Sequence, residues 1–155
     1  MDEATLAGLK LWRSAMRWRR RADRALAAFD LTITQWFVLL AAQAVVQQTG
    51  DATTQNAVAE WGELDRVTVS QVMRVLEQKG LVDRGPHAER IAYRLRVTPR
   101  GARLLSGASS AVDETSRMSL QSFLVMEEEA EGAAPSEMIR YVVDRRLLSV
   151  LHRVI

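Results

Sequence analysis

Thr53–Arg84, TTQNAVAEWGELDRVTVSQVMRVLEQKGLVDR, is the stretch that decides the fold. A short helical pattern, about Thr54 to Trp61, stops at Gly62. Asp65 then stands where an N-cap belongs, and a second helix is expected over about 66–79, ending at Gly80. In that second helix Val69, Val72, Met73 and Leu76 recur at i, i+3, i+4 and i+7, which assigns them to a core. Val67, Ser70, Gln71, Arg74 and Gln78 then face outward. Two helices around a sharp break, the second with a polar outer face, are the layout of a helix-turn-helix. In that motif the second helix enters the DNA major groove.

Immediately downstream, apolar residues alternate with arginines. Leu81–Arg84 and Ile91–Val97 read as two strands joined by residues 85–90, with Ile91, Tyr93, Leu95 and Val97 on one face and Arg94 and Arg96 on the other. The chain of 155 residues has a formal net charge of only +2, but residues 66–103 carry nine basic groups against three acidic. Such a local excess is the footprint of a polyanion site.

Upstream, residues 4–29 pattern as an amphipathic helix, with Leu11, Ala15, Trp18, Ala22, Ala25, Leu26 and Phe29 on one side. Lys10, Arg13, Arg17, Arg20, Arg21 and Arg24 take the other. A helix that long needs an apolar partner for its stripe. The next helix, about 35–48 with Thr34 as its expected cap, is apolar nearly all round and therefore central. Thr98-Pro99 opens a long helix toward Met126, Pro99 suiting the first helical position. An acidic break over 127–134 and a last helix from Pro135 complete the expectation. With 48% apolar residues, a single domain with a real core follows.

Several classes fall away. No cysteine is present, so disulfides, thiolate metal sites and thiol redox sensing are out. His87 and His152 are far apart, and His87 reads as an ordinary turn residue, so no metal is expected. The acidic run Glu127-Glu128-Glu129 reads as a solvated loop. Neither a Gly-rich phosphate loop nor a His-Glu-x-x-His is present, and no cofactor or enzymatic activity is expected. The N-terminus does not read as a signal peptide, and the run Trp36–Val46 is too short to span a bilayer. A cytoplasmic protein is the expectation.

The order of elements resembles the MarR family of winged helix-turn-helix regulators. The likeness is carried by Leu31-Thr32-Ile33-Thr34-Gln35, Leu64-Asp65-Arg66-Val67-Thr68-Val69-Ser70, Leu76-Glu77-Gln78-Lys79-Gly80-Leu81-Val82 and Val97-Thr98-Pro99-Arg100-Gly101. The resemblance implies one mainly α domain with a small β-wing. Residues 1–30 and 106–155 would be dimerisation helices, and 31–105 a DNA-binding lobe. It also implies a homodimer, a pseudo-palindromic duplex as partner and a small, often aromatic effector. One departure stands out. The family's wing carries an Asp-x-Arg; here Glu89 and Ile91 occupy those positions, so the wing-tip role falls to Arg90 between them.

From residue chemistry, Gln71 pairs with adenine and Arg74 with guanine, while Val67 joins them on the outer face. Thr68 and Ser70 suit phosphates near the helix start, and Arg66 is a further phosphate contact. Arg90 is the minor-groove candidate, with Arg84, Arg94 and Arg96 on the DNA backbone. For the effector, Trp12, Met16, Arg19 and Asp23 form one stripe of the first helix, and Trp36 offers another wall. An arginine beside an aromatic ring suits an anionic aromatic ligand; an Arg19–Asp23 ion pair across a packed seam is the plainer alternative. The rival functional class is a winged-helix dimer that docks proteins rather than DNA. Membrane binding by the first helix is a weaker one, since a dimer seam accounts for its apolar stripe.

Overall fold

The computed structural model describes residues 2–49, 53–87 and 90–128; the side chains of residues 3, 86–87, 90–94 and 120–128 lie outside that description. Five helices and one hairpin follow in order: α1 (Glu3–Leu26), α2 (Ile33–Thr49), α3 (Gln55–Trp61), α4 (Arg66–Gln78), β1 (Val82–His87), β2 (Arg90–Val97) and α5 (Pro99–Glu128). The helix expected from Pro135 lies outside the described residues, while Glu127 and Glu128 continue α5 rather than breaking it.

α2 is central because it has no polar face. Ile33, Trp36, Val38, Leu39, Leu40, Ala41, Ala42, Ala44 and Val45 are all buried, and α1, α3, α4, α5 and the wing pack around them. Its start differs from the expectation at Thr34. Thr32 is the cap: its hydroxyl accepts from Gln35 N–H at 3.2 Å, and Gln35 Oε1 accepts from Thr32 N–H at 3.3 Å. This reciprocal box requires a Gln or Glu three residues after the cap, which Thr32 has and Thr34 lacks. Asp23 of α1 supplies a further acceptor, for Ile33 N–H at 2.7 Å.

α1 stops at Leu26, followed by a single 3-10 turn, Ala27–Phe29. Asp30 reverses the chain in the left-handed region, at φ 53°. α1 lies along α5, where Ala22 and Leu26 are fully buried and Trp18 Nε1 donates to Ser116 Oγ at 2.9 Å. Among the described residues its first three turns have no such cover: Leu6, Leu9, Leu11 and Trp12 are all exposed. α3 is capped by Thr54, and the turn into α4 places Glu63, not Gly62, in the left-handed region.

The hairpin is longer than the alternation implied. β1 runs through Gly85, Pro86 and His87, expected as loop, and pairs antiparallel with β2 in the register Val82↔Val97 through Pro86↔Tyr93. In a two-stranded ribbon each strand has an unpaired edge, so a proline lacking N–H is tolerated there. The base of the wing is tied inward, with Leu95 buried and its N–H donating to Thr53 O at 3.2 Å.

One junction joins α4, the wing and α5. Gly80 ends α4 at φ 67°, a conformation that suits glycine. Thr98 caps α5 by accepting from Gly101 N–H at 3.0 Å, while its own hydroxyl donates to Gly80 O at 2.8 Å. Gly101 then lies so close to Leu81 that an added Cβ would stand 2.1 Å from the Leu81 carbonyl oxygen. Backbone cannot yield as a side chain would. Gly101→Ala is therefore expected to destabilise the fold by about 3 kcal/mol or more, measured by urea unfolding; a loss below about 1 kcal/mol contradicts this packing.

Candidate nucleic-acid interface

α4 is rigidly started. Asp65 accepts from Val67 N–H at 2.8 Å and Thr68 N–H at 3.1 Å. Hydrogen bonds from Thr68, and then from the Val67 amide, hold the Asp65 carboxyl below its ordinary value. Val69, Met73 and Leu76 are fully buried, so the inner face is fixed as the periodicity predicts. On the outside Val67, Gln71, Arg74 and Gln78 form one exposed stripe at i, i+4, i+7 and i+11. Thr68 and Ser70, proposed from sequence as phosphate contacts, are half-buried at its border.

The basic residues divide into two groups. Arg74, Arg96, Arg100 and Arg103 are exposed. Arg66 is exposed too and meets Glu60 at 3.8 Å, a solvent-screened pair of little energetic weight. Arg84 is different. Its Nε donates to Glu77 Oε2 at 2.8 Å, its terminal Nη2 bonds the same oxygen, and the side chain is only 20% exposed. The Arg84 bond holds the Glu77 carboxyl below its usual range. That contribution to stability is complete above the ordinary carboxylate value of 4.5 and is lost as pH falls through the lowered one.

Lys79 is likewise committed internally. Its ammonium bonds the backbone carbonyl of Asp30, the Asp30 carboxylate at 3.0 Å and Gln35 Oε1 at 3.3 Å. Two of the nine cations in the basic region thus brace α4, Arg84 to the wing and Lys79 to the α1–α2 turn. Charge counting cannot detect this, because it does not see that the turn at Gly80 folds Arg84 back onto Glu77. Arg90 and Arg94 sit on β2 opposite His87 and Gly85 in register; their side chains lie outside the described residues.

The residues considered for an effector divide between one stripe of α1 and the core. Trp12 and Arg19 are exposed on α1 and Met16 is half-buried. Trp36 is a core residue whose Nε1 donates to Ser109 Oγ at 3.1 Å. Asp23 accepts from Ile33 N–H as described, so its carboxylate serves the α2 start. Among the described residues no group of three or more His, Cys, Asp or Glu could hold a metal. None of the helices described is, singly, long and apolar enough to cross a membrane.

A discriminating expectation concerns Arg84. A phosphate-contacting arginine lowers the slope of log affinity against log salt by about one when removed. Arg84→Ala is expected to leave that slope unchanged while lowering thermal stability, as Glu77→Ala does. A reduced slope would return Arg84 to the DNA backbone.

No protein-family model matches the chain. Over 85 residues, 55% of this chain, it is 36% identical to the HTH-type transcriptional regulator YdcH of Bacillus subtilis; the match spans 57% of that relative. Among solved structures, a MarR-family transcriptional regulator from Rhodococcus sp. RHA1 superposes with a TM-score of 0.65 at 22% identity, covering 97% of this chain and 95% of that one. The MepR–DNA complex of S. aureus gives a TM-score of 0.65 at 26% identity, over 94% and 96% of the two chains. The fold is that of the MarR family of winged helix-turn-helix transcriptional regulators, which the chain resembles over nearly its whole length.

Proposed function

We propose that the chain is a homodimeric, DNA-binding transcriptional regulator of the MarR type, a repressor released by a small effector. The observation that carries the reading is the exposed stripe Val67, Gln71, Arg74 and Gln78 on a helix fastened at both ends. Base readout needs donors and acceptors held by a rigid element, and Gln71 and Arg74 match adenine and guanine in the major groove. Thr68, Ser70 and Arg66 serve phosphates beside them, and Arg90, Arg94 and Arg96 extend the contact along the wing. The relative solved with DNA, MepR, supports this use of the fold.

The dimer rests on α1. Among the described residues, Leu6, Leu9 and Trp12 fall within about 120° of one another around α1 and are exposed, as is Leu11 on another side of that helix, and a second copy is a natural cover for them. Residues 1–30 and 106–155 form the dimerisation helices in this reading, with 31–105 as the reading lobe. Two-fold symmetry then requires a roughly palindromic operator with half-sites about one helical turn apart. The effector site would be completed across that seam by Trp12, Met16 and Arg19, with Trp36 as a buried wall. Calorimetry with aromatic carboxylic acids is expected to show binding that Arg19→Ala weakens; undiminished binding removes Arg19.

The deciding experiment selects duplexes from a random pool with the purified protein and titrates the winner with salt. A steep loss of affinity with salt is expected. Arg74→Ala is expected to cost about 1–3 kcal/mol and to relax preference at one base pair per half-site. A flat salt response, or no selected duplex, would favour a protein-docking dimer instead.

A further inference from the structure

The side chain of Val67 lies outside the packed core. It sits at the second position of α4 and is 64% exposed, more than Trp12 at 61%. Val69, Met73 and Leu76 already fill the inner face of the helix. A β-branched residue on an exposed helical face is a poor helix former, so local propensity does not account for it either. Yet it lies on the same stripe as Gln71 and Arg74, with the Asp65 cap fixing the backbone beneath it.

The major-groove floor carries one apolar group, the C5 methyl of thymine. A stripe that presents branched methyls, then an amide, then a guanidinium is chemically matched to a thymine, an adenine and a guanine. We infer that Val67 is a specificity-determining residue that packs on a thymine methyl in each half-site. This rests on the DNA-binding reading and sharpens it. Four helical residues rise about 6 Å, under two base steps of about 3.4 Å. The thymine therefore lies within about two base pairs of the base that Gln71 reads.

The test uses the full chain and its selected duplex, with each thymine replaced singly by uracil. Uracil keeps every hydrogen-bonding group and removes only the methyl. For the wild type, one position per half-site is expected to weaken binding about fourfold on replacement, the worth of one buried methyl. Val67→Ala, which favours the helix and so preserves the fold, is expected to bind thymine and uracil equally at that position. Gln71→Ala is expected to keep the difference. Identical thymine-to-uracil profiles in the wild type and Val67→Ala would overturn the inference and leave the DNA-binding reading standing; Val67 would then face something other than a base. If no duplex is selected at all, the DNA-binding reading falls and takes this inference with it.

Discussion

The junction of α4 with the wing and α5 runs through the carbonyl groups of Gly80 and Leu81. The Gly80 carbonyl accepts the Thr98 hydroxyl, and the Leu81 carbonyl accepts Thr98 N–H at 3.0 Å. Leu81 N–H in turn donates to Leu76 O at 2.9 Å, closing the end of α4. The end of one helix, the start of the ribbon and the cap of the next helix are thus one hydrogen-bonded unit. Leu81 is buried, so its carbonyl and N–H would be left without partners if these bonds were lost. The absence of a Cβ at Gly101 is the steric condition for that approach.

Around this unit the charges take two kinds of place. Glu77–Arg84 is a partly shielded brace and the half-buried Lys79 reaches the exposed Asp30, whereas Arg74 and Arg96 stand in solvent. The distinction matters because a cation committed to an internal ion pair is not free to meet a phosphate. The Glu77–Arg84 brace weakens as Glu77 takes up a proton. A count of basic residues therefore overstates the field available to a polyanion.

Much of α4 was legible beforehand, because a cap at Asp65, a period of three and four, and a terminal glycine all agree on one helix. Pro99 as a helix start and α2 as a central element were equally plain. Other features were hidden for identifiable reasons. Two threonines compete for the α2 cap, and the glutamine three residues past Thr32 decides between them. Pro86 looked like a turn, but a two-stranded ribbon leaves it an unpaired edge. Trp36 lies on a helix without a polar side, so periodicity could not say which way it points. Arg84 resembled its neighbours until the fold brought Glu77 to it.

Lys79 has a consequence of a different order. One of the groups it grips is the main-chain carbonyl of Asp30, at the turn between the long first helix and the central one. A carbonyl oxygen cannot be deleted by substitution. A substitution at residue 30 that accepts its left-handed backbone therefore keeps the carbonyl link from the α1–α2 turn to the end of α4, whereas truncating Lys79 removes it. A movement of the turn after α1 would then be carried, through one ammonium group, to the end of α4.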